Sequence, residues 1–161
     1  MFNRKLKGNP LKQYKVCMLG SYGVGKTSLV KRFIEGIFSD KYLTTIGVKV
    51  DKKMVHLDDE SVKLMLWDIE GKDKFTTLKK SYLRGSSGLI MVVDGTRSAS
   101  LEVALQIYQD ISDEFGELPQ MLVINKLDLV KEWKIDMQVI DELRQTGWDI
   151  IHTSAKTGES V

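Results

Sequence analysis

Gly20, Ser21, Tyr22, Gly23, Val24, Gly25, Lys26 and Thr27 form one unbroken run, G-x-x-x-x-G-K-T, whose residue types and spacing suit a chain of phosphates. Glycines let the backbone curl around an anion with its N–H groups turned inward, and the helical pattern that opens at Ser28 adds the positive end of a helix dipole. Lys26 would reach the β- and γ-phosphates as a point charge, and the Thr27 hydroxyl would ligate Mg²⁺. The apolar residues 16–19 ahead of the run supply the strand that such a loop leaves. The run predicts a nucleoside triphosphate site.

A second cluster bears on the base. Asn125, Lys126, Leu127 and Asp128 directly follow the apolar run 121–124. A carboxylate at position 128 can accept two hydrogen bonds from the N1–H and exocyclic N2–H₂ of guanine. Adenine has no such donor pair, so Asp128 would discriminate through buried polar pairing. The Lys126 stem can cover one face of the base, Asn125 can tie this loop to the phosphate loop, and Ser154-Ala155-Lys156 can turn a backbone N–H toward the guanine oxygen. Thr45, in Thr45-Ile46-Gly47, can bind Mg²⁺ and sense a γ-phosphate. Asp68 can hold the metal through water, and the Gly71 N–H can touch the γ-phosphate.

These residues need a scaffold that brings distant loops to one edge. Residues 14–19, 48–57, 61–67, 89–93, 121–124 and 148–152 read as six strands, the second and third joined by the acidic turn Asp58-Asp59-Glu60. Residues 27–35, 100–115 and 136–145 read as helices, the second with Leu101, Leu105, Tyr108, Ile111 and Phe115 at helical spacing. Strands and helices alternate, and fully apolar runs such as 89–93 suit central parallel strands. The pattern predicts an α/β fold: a mainly parallel six-stranded sheet with helices on both faces and one antiparallel hairpin. Ligands of such sheets bind beyond the carboxyl ends of the strands, where each motif falls.

Bulk properties narrow the function classes. At 161 residues the chain makes one domain, and a net charge of +2 at pH 7 is too small to argue for nucleic acid. No apolar stretch approaches a membrane span. Cys17 is the only cysteine, which suits a buried thiol and a reducing, cytoplasmic compartment, and His56 and His152 lack the company of further metal-ligand types. Arg4, Lys5, Lys7, Lys12 and Lys15 make the first fifteen residues basic. They read as a solvated terminus or as a weak, peripheral attraction to an anionic membrane or partner. Residues 1–13 are expected to form a basic extension and residues 14–161 the folded domain.

Together the residues 20–28, the segment 38–48, Trp67-Asp68, residues 125–128 and residues 154–156 resemble a Ras-superfamily small GTPase, closest to its Rab-like branch, to which Tyr82-Leu83-Arg84-Gly85 also fits. The resemblance covers roughly residues 14–159. It implies a P-loop fold that binds GTP or GDP with Mg²⁺, and a switch in which GTP orders the loops around Thr45 and Gly71 for effector proteins to read. It also implies that Phe38 stacks edgewise on the guanine, that Tyr42 covers the phosphates, and that exchange factors and activators act on the chain.

Four departures from the family pattern qualify that expectation. After Asp68 the pattern T-A-G-Q-E is replaced by Ile69-Glu70-Gly71-Lys72-Asp73, so Lys72 occupies the place of the water-positioning glutamine. Phosphoryl transfer depends on positioning and electrostatics, and a lysine cannot both donate to and accept from water as an amide does, which predicts slow hydrolysis. Glu70 replaces a small residue beside the phosphates and should swing outward or alter the metal geometry. Tyr22 occupies a place that usually holds a small residue and should obstruct an arginine finger, which points to a switch that stays GTP-bound for long periods or that an atypical activator turns off. Lastly, the chain ends at Val161 without the family's final helix or a prenylation site, and Met1-Phe2 offers no myristoylation site. Apolar sheet surface is then expected to be exposed, predicting a dimer, a covering partner or lower stability, and a chain cut short is equally consistent. The leading reading is a GTP-binding switch with slow GTP hydrolysis. The runner-up is a nucleotide-bound, hydrolysis-deficient interaction platform, a pseudo-GTPase. An ATP-using phosphotransferase fails on residues 125–128.

Overall fold

In a computed structural model that describes residues 10–41, 43–71 and 79–161, the hydrophobic runs of the sequence become the centre of one sheet. Its strands are β1 (Lys12–Gly20), β2 (Val48–His56), β3 (Ser61–Ile69), β4 (Gly88–Asp94), β5 (Gln120–Asn125) and β6 (Asp149–His152), in the order β2-β3-β1-β4-β5-β6. Among the described residues only β2 and β3 pair antiparallel, across a tight turn in which the Leu57 N–H donates to the Glu60 carbonyl at 2.8 Å. All other pairings are parallel.

Side chains alternate across a strand, so an apolar run feeds two cores at once. Cys17, Leu19, Met91, Val93, Leu122 and Ile124 face α2 (Ser98–Phe115) and α3 (Met137–Gln145), meeting Leu101, Ala104, Ile107, Ile111 and Ile140. Met18, Val92 and Val123 face the other way, toward Leu29 and Val30 of α1 (Lys26–Glu35). Helices therefore cover both faces. Beside α1 an apolar groove of about 190 Å³ is lined by Met18, Leu66, Ile90, Met121, Val123 and Val161. Among the described residues no helix is long and apolar enough to cross a membrane.

Boundaries shift where pairing or capping overrides hydrophobicity. β1 begins at Lys12, ahead of the apolar run, because Lys12 already pairs with Val62. α3 begins at Met137 because the Asp136 side chain accepts from the Gln138 N–H at 2.9 Å, an N-cap bond. β6 begins after Trp148, whose ring packs edge-on against Tyr108 of α2 at 4.7 Å. Cys17 is fully buried with its Sγ 3.2 Å from Ser86 Oγ, and burial raises its pKa above the ordinary thiol value.

Candidate functional site

β1 ends at Gly20 and α1 starts at Lys26, so the glycine-rich run is the turn between them. Two of its glycines are dictated by space. At Gly20 (φ 151°) a Cβ would lie 2.3 Å from the Val92 carbonyl oxygen, and at Gly25 (φ 102°) 2.3 Å from Asn125 Nδ2. Lys26 is 6% exposed and folds back over the loop, its Nζ donating to the carbonyls of Gly20 (3.2 Å) and Ser21 (3.0 Å). Burial lowers its pKa to about 8, aided by Arg97 and opposed by Asp68.

That shift carries a stability consequence. The folded chain holds fewer protons than the unfolded chain between pH 8 and the ordinary lysine value of 10.5, so the stability of the nucleotide-free protein should rise with pH across that window. Keeping Lys26 charged at pH 7 costs about 3 kcal/mol by the same linkage, a cost that a bound phosphate would offset. Urea unfolding between pH 7 and 10.5 checks this: Lys26→Met should flatten the rise, and parallel curves for the two proteins would contradict it.

A second group of atoms lies where the loop before β2 meets the end of β3. Thr27 Oγ1 donates to Asp68 Oδ2 at 2.6 Å, Thr45 Oγ1 donates to the same oxygen at 3.0 Å, and the two hydroxyl oxygens are 2.6 Å apart. Two hydroxyl protons cannot serve three oxygen–oxygen contacts. The crowding is relieved by a proton on Asp68 or by a cation among the oxygens. Burial does raise the Asp68 pKa, against the pull of Thr27, Thr45 and Lys26. Its Oδ1 is buried without a hydrogen-bond partner among the described residues. No group of three His, Cys, Asp or Glu side chains among the described residues could hold a metal alone. A cation here would thus take hydroxyls, one carboxylate and oxygens brought by a ligand, a donor set that fits Mg²⁺.

Gly71 abuts the phosphate loop, since a Cβ there would lie 2.6 Å from Tyr22 Cα and 3.1 Å from Lys26 Nζ. Glu70 turns toward Gly47. Its N–H donates to the Gly47 carbonyl at 2.8 Å, and its Oε2 accepts from the Gly47 N–H at 3.1 Å. Tyr42 and Lys72 lie outside the described residues.

A third group follows β5 and β6. Asn125 Nδ2 donates to the Val24 carbonyl at 3.0 Å, while its Oδ1 accepts from Thr153 Oγ1 (3.1 Å) and the Ala155 N–H (3.2 Å). Ala155 thus spends its N–H on Asn125. Asp128 Oδ1 accepts from Ser154 Oγ at 2.6 Å. Lys126 Nζ donates to Asp94 Oδ2 at 2.6 Å. A single cleft of about 350 Å³ joins the groups, lined among others by Tyr22, Gly23, Ser28, Phe38 and Lys156. Its size is that of a small-ligand site.

Sequence reasoning missed several supports of this cleft. Arg32 of α1 donates through Nε to the Ala155 carbonyl at 2.8 Å and also bonds the Lys156 carbonyl. Asp94, 1% exposed, takes Lys126 and Arg97 on Oδ2 and Thr96 on Oδ1. Burial alone would push its carboxyl up, but the Lys126 and Thr96 hydrogen bonds hold it below its ordinary value. Arg97 also donates to the Tyr22 carbonyl at 2.7 Å, so Asp94 links the loop after β5 to the phosphate loop. No spacing rule marks these residues as supports of the cleft, because the contacts that tie them to it, with Ala155, Lys126 and Tyr22, are distant in sequence. An acidic residue at the end of an apolar strand was the one available signal, at Asp94.

A mostly parallel six-stranded sheet whose first strand runs through a glycine-rich loop into a helix defines a P-loop GTPase type of domain. The model of the Ras family matches residues 15–161, and the chain belongs to that family. Members generally bind GTP or GDP with Mg²⁺ and interact with effectors and regulators.

Proposed function

We propose that the chain is a guanine-nucleotide switch of the Rab-like branch, with Mg²⁺-dependent and slow GTP hydrolysis. The observation that carries the reading is one cleft joining the Thr27–Thr45–Asp68 oxygen cluster to an Asp128 carboxylate held by Ser154. Backbone N–H groups of residues 20–27 cradle the phosphates, with Lys26 exchanging its two loop carbonyls for phosphate oxygens. Thr27 and Thr45 supply hydroxyl ligands and Asp68 the charge that retains Mg²⁺. The cation, when bound, neutralises charge on the phosphates. Asp128 accepts from the guanine edge, the Lys126 stem and Phe38 flank the base, and Gly71 donates toward the γ-phosphate. Ile46, 87% exposed beside Thr45, offers effectors an apolar contact that moves with that loop.

Slow turnover rests on Lys72 in place of a water-positioning amide and on Tyr22, whose side chain is half exposed on the phosphate loop. Single-turnover hydrolysis at saturating Mg²⁺ tests it: Lys72→Gln should raise the rate about tenfold or more. Fast turnover in the parent and no gain in the variant would sink the reading. The pairing of Glu70 with Gly47 favours a second reading, a platform that keeps the Thr45 loop closed whatever nucleotide it holds. Equal affinity for a partner in the GDP and GTP-analogue states would decide for that platform.

A further inference from the structure

Lys126 has φ 70° and ψ 41°, the left-handed conformation that a lysine rarely adopts. Such a residue persists only where its surroundings over-determine it. The Trp133 indole Nε1–H donates to its carbonyl at 2.9 Å, and the Leu129 N–H donates there too. The next N–H, of Leu127, is held by the Thr153 carbonyl at 2.9 Å. Trp133 is itself tightly seated. A Cβ on Gly95 would lie 2.3 Å from its ring, Lys134 N–H donates to the Gly95 carbonyl at 2.8 Å, and the His152 ring meets the indole edge-on at 5.2 Å. One side chain thus joins the loops that follow β4 and β5 to the last residue of β6.

We infer that Trp133 is a positioning residue for guanine recognition: its indole N–H fixes the Lys126 peptide from which Asp128 is presented to the base. Only Leu127 separates that peptide's carbonyl from Asp128, so a rotation there displaces the carboxylate directly. The inference rests on the reading of Asp128 as the base-recognising group.

Trp133→Phe keeps an aromatic ring beside Gly95 and His152 while removing the donor and part of the indole's volume. Inosine diphosphate lacks the exocyclic amine that Asp128 would bind, so the ratio of GDP to inosine diphosphate affinity reports the alignment of that carboxylate. In the full chain with Mg²⁺, Trp133→Phe should weaken GDP about tenfold and inosine diphosphate about twofold, narrowing the ratio about fivefold. Gly95→Ala displaces the same indole without removing its N–H and should narrow the ratio in the same direction. It decides the matter if Trp133→Phe does not fold. A lower Tm with an unchanged ratio would make Trp133 structural only and overturn the inference. If the parent does not prefer GDP to ADP, the guanine reading itself fails. If it does and the ratio stays at the parent value in the variants, only the role of Trp133 fails.

Discussion

Replacement of Asp128 by asparagine should cost GDP about a thousandfold in affinity and make xanthosine diphosphate the better ligand. Hydrogen bonds to a charged group contribute about 1.5–3 kcal/mol each, so losing two predicts about 3–6 kcal/mol, and each 1.4 kcal/mol is tenfold. The site sets the orientation of the new amide. Asp128 Oδ1 accepts from Ser154 Oγ, and an amide oxygen would keep that proton. The NH₂ group is then turned to the base, where it faces the amine of guanine but can donate to the C2 carbonyl of xanthine. Competition of both diphosphates against a fluorescent guanine nucleotide measures the exchange of preference. A variant that still chose GDP would remove Asp128 from the base-recognition role.

The second large effect is expected at Asp68. Chelation of Mg²⁺ should speed GDP release from the parent about a hundredfold, whereas Asp68→Ala should respond by no more than about twofold. Asp68 is the only charged member of its cluster with Thr27 and Thr45. Two hydroxyls without it retain a divalent cation poorly. The relevant experiment is stopped-flow release of a fluorescent nucleotide with and without chelator. A hundredfold response persisting in the variant would place the metal elsewhere.

Much of this architecture was legible in the residues because its signals are local. The glycine-rich run, the apolar strands 16–19, 89–93 and 121–124, and the polar residues just beyond them each carry their meaning within a few positions. The buried positions of Cys17, Met91 and Leu122 follow from apolar runs long enough to fill both faces of a strand. What stayed hidden depends on contacts across the sheet edge. Trp133 sits amid polar residues, and only the approach of Gly95 and Lys126 gives it a role. Arg97 takes its role from the Tyr22 carbonyl, 75 positions away in sequence. Glu70 left two outcomes open in the sequence, and its contact with the Gly47 N–H comes from a partner 23 positions away.

That contact occupies a particular rung. β2 and β3 pair from His56 opposite Ser61 to Val48 opposite Ile69, so Gly47 opposite Glu70 is the next position of the same antiparallel ladder. The loop bearing Thr45 therefore runs directly into the end of a β-ribbon. Any unzipping of that ribbon from its tip begins with a rung that a glutamate carboxylate reinforces. The amides of Gly47 and Glu70 should accordingly exchange with solvent deuterium as a pair, at the rate at which the end of the ribbon opens.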